Sequence, residues 1–251
     1  MTERIISKSG GVPIKGEVLG YEQGYQLRVA MLAVDGRKVL GCEFCKFWSP
    51  HEAVGHFIDR SRPLGIGLRV TLAVGTGREG WRPADYWIDE SPFNDRDPDD
   101  EFPFYWGPFQ TGSSLEGIAL LMAMRRQWPG LPATQTQPTE CFRHLNRSPK
   151  LPALQERVAT LAQWLNVDLP ADLDEESWRA AMSSFAMWQG LRGEWPIDLF
   201  QMARPASKRR HWSSEDGEQA YQQPAMSYDT LLFPAGPVAS YWPPDERGDE
   251  A

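Results

Sequence analysis

Apolar residues fall in short runs over the first third of the chain and recur every three or four positions over much of the rest. Residues 18–24, 27–34 and 38–44 are three extended stretches, and Asp35-Gly36 between the last two is a hairpin turn signal, so an antiparallel meander is predicted. An edge strand over 12–14 is expected to precede it. Ser49-Pro50-His51-Glu52 combines a cap hydroxyl, a first-turn proline and an acid, which predicts a helix from there to about Arg60. Residues 68–74 are apolar and β-branched without alternation, the pattern of a parallel strand covered on both faces, and Gly75-Thr76-Gly77 ends it. Ser113 and Glu116 have capping-box spacing, and residues 115–124 are apolar on nearly every side, so a helix buried between layers is expected. Arg125 and Arg126 suit its C-terminal end and Pro129-Gly130 stops it. Residues 133–138 then read as extended, which puts Gln135 and Gln137 on one face. Two amphipathic helices follow, over 152–165 and 172–192, and 231–233 reads as a returning strand.

Two long stretches resist regular structure. Residues 88–111 are acidic, proline-rich and aromatic, and residues 204–228 are polar, with Lys208, Arg209 and Arg210 as a basic cluster able to hold a phosphate but more simply read as solvated. The acidic run from Asp95 to Glu101 lacks the glycine and terminal glutamate of a calcium loop. With 251 residues and 41% hydrophobic content, one domain with these two loops is expected. No apolar run is long enough for a membrane span and no secretory leader is visible, so a cytoplasmic protein is expected. The net charge of −8 disfavours nonspecific phosphate binding, leaving nucleic acid possible only through a local basic patch. Eleven Trp imply a thick core or surfaces that meet a protein partner.

Cys42 and Cys45 form a CxxC with His51 and His56 close behind, so zinc has to be weighed. In a strand, however, positions three apart face opposite sides, and histidines five apart on a helix diverge, so two separate thiols is the preferred reading.

The succession of a small polar cap, a GIAL-containing helix, a short turn and then x-Thr-x-Pro before an aromatic-rich helix resembles a family of predicted RNase H-like nucleases. Further matching segments are Glu176-Ser177-Trp178-Arg179-Ala180-Ala181, Trp188-Gln189-Gly190-Leu191-Arg192-Gly193 and Phe233-Pro234-Ala235-Gly236-Pro237 with Tyr241-Trp242-Pro243. The resemblance implies an α/β, RNase H-like fold: a mixed five-stranded sheet with helices on both faces. It also implies a site in which three or four carboxylates hold two Mg²⁺ or Mn²⁺ ions for phosphodiester hydrolysis. The family strand reads Glu-Thr-His-Pro where this chain has Gln135-Thr136-Gln137-Pro138.

Carried across, the acid positions fall on Glu22, Gly75, Gln135 and Arg179, with Gln137 at the histidine. One carboxylate, a glycine, two amides and a guanidinium cannot offset two divalent ions. The expectation is a remnant cleft without metal or cofactor, in a binding or scaffold subunit, with Glu22, Gln135 and Arg179 converging. The alternative is an active Mg²⁺- or Mn²⁺-dependent nuclease or phosphoryl hydrolase on a shifted set: Asp35, Glu140, Asp174 and Glu176. Against that set, Asp35 has a turn role, Glu140 opens a helix and Glu175 is spaced to pair with Arg179.

Overall fold

The computed structural model describes residues 14–70, 72, 111–201 and 236–244, and of 111–115 the backbone alone. The meander forms as its periodicity requires. Strands β1 (Lys15–Gln23), β2 (Leu27–Asp35) and β3 (Lys38–Phe47) pair antiparallel in sequence, with Asp35 and Gly36 at the second turn and Gly36 at φ 60°. Helix α1 (Pro50–Phe57) starts where Ser49 accepts from the Glu52 amide at 3.2 Å, and stops short of Arg60. Strand β4 (Gly65–Leu68) then lies parallel to β1. After α2 (Thr111–Gln127), strand β5 (Ala133–Gln135) adds parallel to β4. Three helices follow: α3 (Pro138–Asn146), α4 (Leu154–Leu165) and α5 (Glu175–Leu191). A small ribbon pairs β6 (Ile197–Asp198) with β8 (Tyr241–Trp242), and β7 (Val238–Ala239) joins the main sheet beside β5.

The main sheet has the order β3-β2-β1-β4-β5-β7, six strands rather than five, because a two-residue strand leaves no periodicity to read. Helices cover both faces. One face carries Leu19, Tyr21, Ile66 and Leu68 against Leu120, Leu121 and Met124 of α2 and Ala53 and Phe57 of α1. The other carries Val18, Ala30 and Leu32 against α5, with Phe142 of α3 and Leu161 and Leu165 of α4 in the same cluster. An antiparallel meander, a helix and then parallel strands is the RNase H-like α/β arrangement that the motifs imply.

Several boundaries differ from expectation. The fourth strand is Gly65–Leu68, not 68–74: its two glycines lie where Met187 and the Ser183 backbone crowd an added Cβ. Helix α2 begins at Thr111, so Ser113 and Glu116 lie within it, and Glu116 instead accepts from Gln23 Nε2 at 3.0 Å. Nor is that helix buried all round, for Ala119 and Met122 are exposed. The fifth strand ends at Gln135, and Pro138 is the first residue of α3 rather than the end of a strand. The expected strand at 231–233, the edge strand at 12–13, and the loops at 88–110 and 204–228 lie outside the described residues, as do Gly75, Lys208, Arg209 and Arg210.

Candidate functional site

Register across the parallel strands fixes which side chains meet. Tyr21, Leu68 and Gln135 are partners in one row, so the next residues along, Glu22, Arg69 and Thr136, form the row above. Laterally paired residues share a face and successive ones alternate. Tyr21, Leu68 and Ala133 belong to the apolar cluster under α2, so Gln135, two residues after Ala133, points there too. Its Oε1 accepts from the Leu72 amide at 2.8 Å. Glu22 takes the face of Gly20, which lies against Ala180 and Ser184 of α5, and Thr136 Oγ1 meets Ser183 Oγ of the same helix at 2.7 Å.

The expected convergence of Glu22, Gln135 and Arg179 therefore holds for two of the three. Arg179 of α5 lies within electrostatic reach of Glu22, whereas Gln135 is on the opposite side of the sheet, because β5 ends there and its register with Leu68 sets its face. Gln137 is not on Gln135's strand face either. It is the N-cap of α3 without using its side chain as a cap, and its Oε1 is buried without a hydrogen-bond partner among the described residues.

At the centre is an ion pair that the sequence reading missed. Arg69 Nη1 donates to Glu22 Oε1 at 2.7 Å, and Glu22 is only 1% exposed. With β4 ending at Leu68, Arg69 is the side chain at the mouth of that strand, whereas the carried-over pattern puts its fourth-strand acid at Gly75, outside the described residues. The available signal was an arginine inside an otherwise apolar run, Leu68-Arg69-Val70, since a cation in such a run needs a buried acid to meet it. Burial pushes the Glu22 carboxyl up to about 7, and Arg69, then Arg179, act against that rise. Glu176 adds to it. The second oxygen, Oε2, has no hydrogen-bond partner among the described residues.

Around this pair the other charges are arranged by α3 and α5. Asp174 caps α5, accepting from the Ser177 amide at 2.8 Å while Arg28 and Lys46 contact its other oxygen at 3.1 and 3.2 Å. These partners hold its carboxyl below the usual range although burial opposes them. Glu175 takes a bidentate pair of bonds from Arg157 at 2.8 and 2.6 Å and lies 3.1 Å from Arg179 Nε, a contact too poorly aimed to be a hydrogen bond. Arg179 is thus engaged by its own helix, and Arg69 is the direct partner of Glu22. Glu140, in the first turn of α3, has its carboxyl raised by burial, with Arg69, Arg143 and Arg179 acting against that.

Of the alternative acids, Glu140 and Glu176 surround the cleft and Asp174 is occupied in capping. Asp35 pairs with Lys15 at 3.3 Å at the opposite end of β1 from Glu22. Among the described residues, the group of metal-ligating side chains with donor atoms within 4.8 Å of one another is Glu43, Cys45 and His56, away from this cleft.

Chemically, the cleft presents carboxylates interleaved with guanidinium groups, at the carboxyl ends of parallel strands where open α/β sheets place their ligands. Such a surface satisfies an ionic or hydrogen-bonding partner, and the resident cations Arg69 and Arg179 compete with any metal for Glu22 and Glu140. No family model matches the chain, and no curated protein matches it. A solved structure, Thermus thermophilus RuvC, is similar at 17% sequence identity with a TM-score of 0.39, over 71% of this chain and 97% of that one. At that identity the likeness speaks to neither activity nor site residues.

Proposed function

We propose that the chain is a catalytically degenerate RNase H-like protein acting as a binding or scaffold subunit, with a remnant cleft at Glu22, Arg69 and Arg179. The observation that carries this reading is the Arg69–Glu22 pair at 2.7 Å. Two divalent ions bring four positive charges and need anionic oxygens. Here one acid, Glu22, is already neutralised by a guanidinium at the mouth of the neighbouring strand. A protein partner fits better than nucleic acid because the net charge is −8. Tyr25 and Trp48, 92% and 65% exposed and in edge contact at 5.6 Å, supply apolar surface for it. Among the described residues no helix is long and apolar enough to cross a membrane.

The test is calorimetric titration with Mg²⁺ and Mn²⁺, together with incubation of the protein with single- and double-stranded DNA and RNA in either metal. The expected result is no heat of binding and no cleavage. Metal-dependent cleavage that disappears in Glu22→Gln overturns the reading. That outcome would favour the second reading, a metal-dependent nuclease or phosphoryl hydrolase. Its specific support is the presence of Glu140 and Glu176 beside Glu22, and Glu140→Gln would then abolish the activity as well.

A further inference from the structure

On the opposite face of the sheet, β3 and α1 bring together three side chains of a different chemistry. Glu43 and Cys45 are two apart on β3 and so share a face, and their partners on β2, Met31 and Val29, belong to the cluster under α1 and α2. His56, in the last turn of α1, is set over them by its ring contacts with Phe47 and Phe57, at 5.3 and 5.0 Å between centroids. Cys45 Sγ lies 3.6 Å from Glu43 Oε1 and 3.8 Å from His56 Nε2. Cys42 packs against the other face, so the CxxC itself does not chelate.

We propose that Glu43, Cys45 and His56 form a binding site for a borderline divalent ion, Zn²⁺ or Co²⁺, whose fourth position is open to water. In a tetrahedral site with a metal–sulfur bond of about 2.3 Å and metal–nitrogen or metal–oxygen bonds of about 2.0 Å, the donor atoms are separated by roughly 3.5 Å. The two separations from sulfur, 3.6 and 3.8 Å, are already close to that, and all three donor atoms lie within 4.8 Å of one another. A thiolate and an imidazole select zinc or cobalt over Mg²⁺, which takes hard oxygens. On binding, the sulfur forms the bond to the metal and its proton passes to solvent.

Arg60 is the competitor for this site. Its guanidinium contacts Glu43 Oε1 and Oε2 at 3.1 and 3.2 Å and His56 Nε2 at 3.2 Å, the same atoms the metal requires. It follows α1 on a long, partly exposed side chain, 29% exposed, that swings to solvent when displaced. The site thus exchanges one cation for another. It is independent of the Glu22 cleft, which lies on the α5 side.

The experiment is calorimetric titration of the full chain with Zn²⁺, and of the same samples with Co²⁺ read by its thiolate-to-metal charge-transfer band. Far-ultraviolet circular dichroism confirms that each variant is folded. One ion per chain is expected. Cys45→Ser and His56→Ala should each weaken binding by more than about a hundredfold, beyond the effect typical of residues one layer outside the ligands, and Arg60→Ala should tighten it roughly tenfold. Cys42→Ser should change nothing, and Mg²⁺ should give no heat at this site. Absence of Zn²⁺ binding, binding that survives His56→Ala, or loss in Cys42→Ser overturns the proposal.

Discussion

Helices α2 and α5 cover opposite faces of the same sheet, and they are buried to different depths although each has 17 residues. The run from Leu115 to Met124 reads as apolar on nearly every side, yet Met122 is 42% exposed and Ala119 faces out, so α2 presents one buried stripe of Leu120, Leu121 and Met124. Helix α5 contains Ser177, Ser183 and Ser184, yet from Ala180 to Trp188 it has no exposed residue. The difference is made by the strands beneath. Toward α2 they offer Leu19, Tyr21, Ile66 and Leu68, while toward α5 they offer Gly20 and Gly67. A Cβ at Gly20 would lie 2.0 Å from the Ala180 carbonyl oxygen, and one at Gly67 2.0 Å from that of Ser183. Helix α5 therefore rests on the sheet's backbone, where small side chains fit, and α3 and α4 close over its other side. Close seating also brings the first turns of α5, with Glu176 and Arg179, to the carboxyl ends of β1 and β4, where Glu22 and Arg69 meet.

The sharpest way to break the comparison is to place a charge on each side of α2. Leu120→Asp puts an unpaired carboxylate at a fully buried position and should leave no folded protein by circular dichroism, because a lone buried charge costs several kcal/mol against a total stability of about 5–15 kcal/mol. Met122→Asp, on the exposed stripe, should change the unfolding free energy measured in urea by less than about 0.5 kcal/mol. Equal damage from both would mean that α2 is buried all round, as its composition implies.

The α5 face is tested by adding a single methyl group. Gly67→Ala meets backbone that cannot give way, so the cost should reach the upper end of the overpacking range, about 3 kcal/mol, measured by urea denaturation. In α1, Gly55 has no atom within 4 Å of the added carbon, and Gly55→Ala should stabilise by roughly 0.5–1 kcal/mol through helix propensity. If Gly67→Ala is as harmless as Gly55→Ala, α5 does not touch the sheet's backbone.

Most of the meander, the start of α1 and the course of α4 were legible because each is written in local signals: Asp35-Gly36, Ser49-Pro50, and leucines at helical spacing. Strand β4 was not, since its glycines make sense only against α5, which lies over a hundred residues later. The cleft was half legible. Glu22 and Arg179 were placed by motif, but the face of Gln135 depends on register with Leu68, and a one-residue step along a strand reverses a side chain. Arg69 was overlooked because the boundary of β4 was set three residues late. The zinc-type cluster was obscured by its own motif, for Cys42 drew attention to the CxxC while the chelating partner of Cys45 is Glu43.

The effect in the cleft is smaller than that of Leu120→Asp or Gly67→Ala, and it is read from pH. Burial raises the folded Glu22 carboxyl from its ordinary 4.5 to about 7. A group whose folded pKa is raised contributes stability that is fully present below its unfolded pKa and is lost as pH climbs through the folded value. Glu22 should therefore lower the stability between pH 4.5 and about 7, by on the order of 2 kcal/mol once opposing relaxation around the pair is allowed for. Asp174 does not confuse the measurement: its folded pKa is depressed, so its contribution holds above its unfolded pKa and fades only in acid, below this window. Urea unfolding of the wild type and Glu22→Gln at half-unit intervals of pH gives the difference directly. The wild type should lose more stability across the window than the variant, which keeps the carboxyls of Glu140 and Asp198 that burial also raises. Arg69→Met removes the cation that opposes the rise, so its decline should extend to higher pH. Parallel curves for wild type and Glu22→Gln would mean that the Arg69 guanidinium holds the Glu22 carboxylate ionised through the whole window, so that burial does not win.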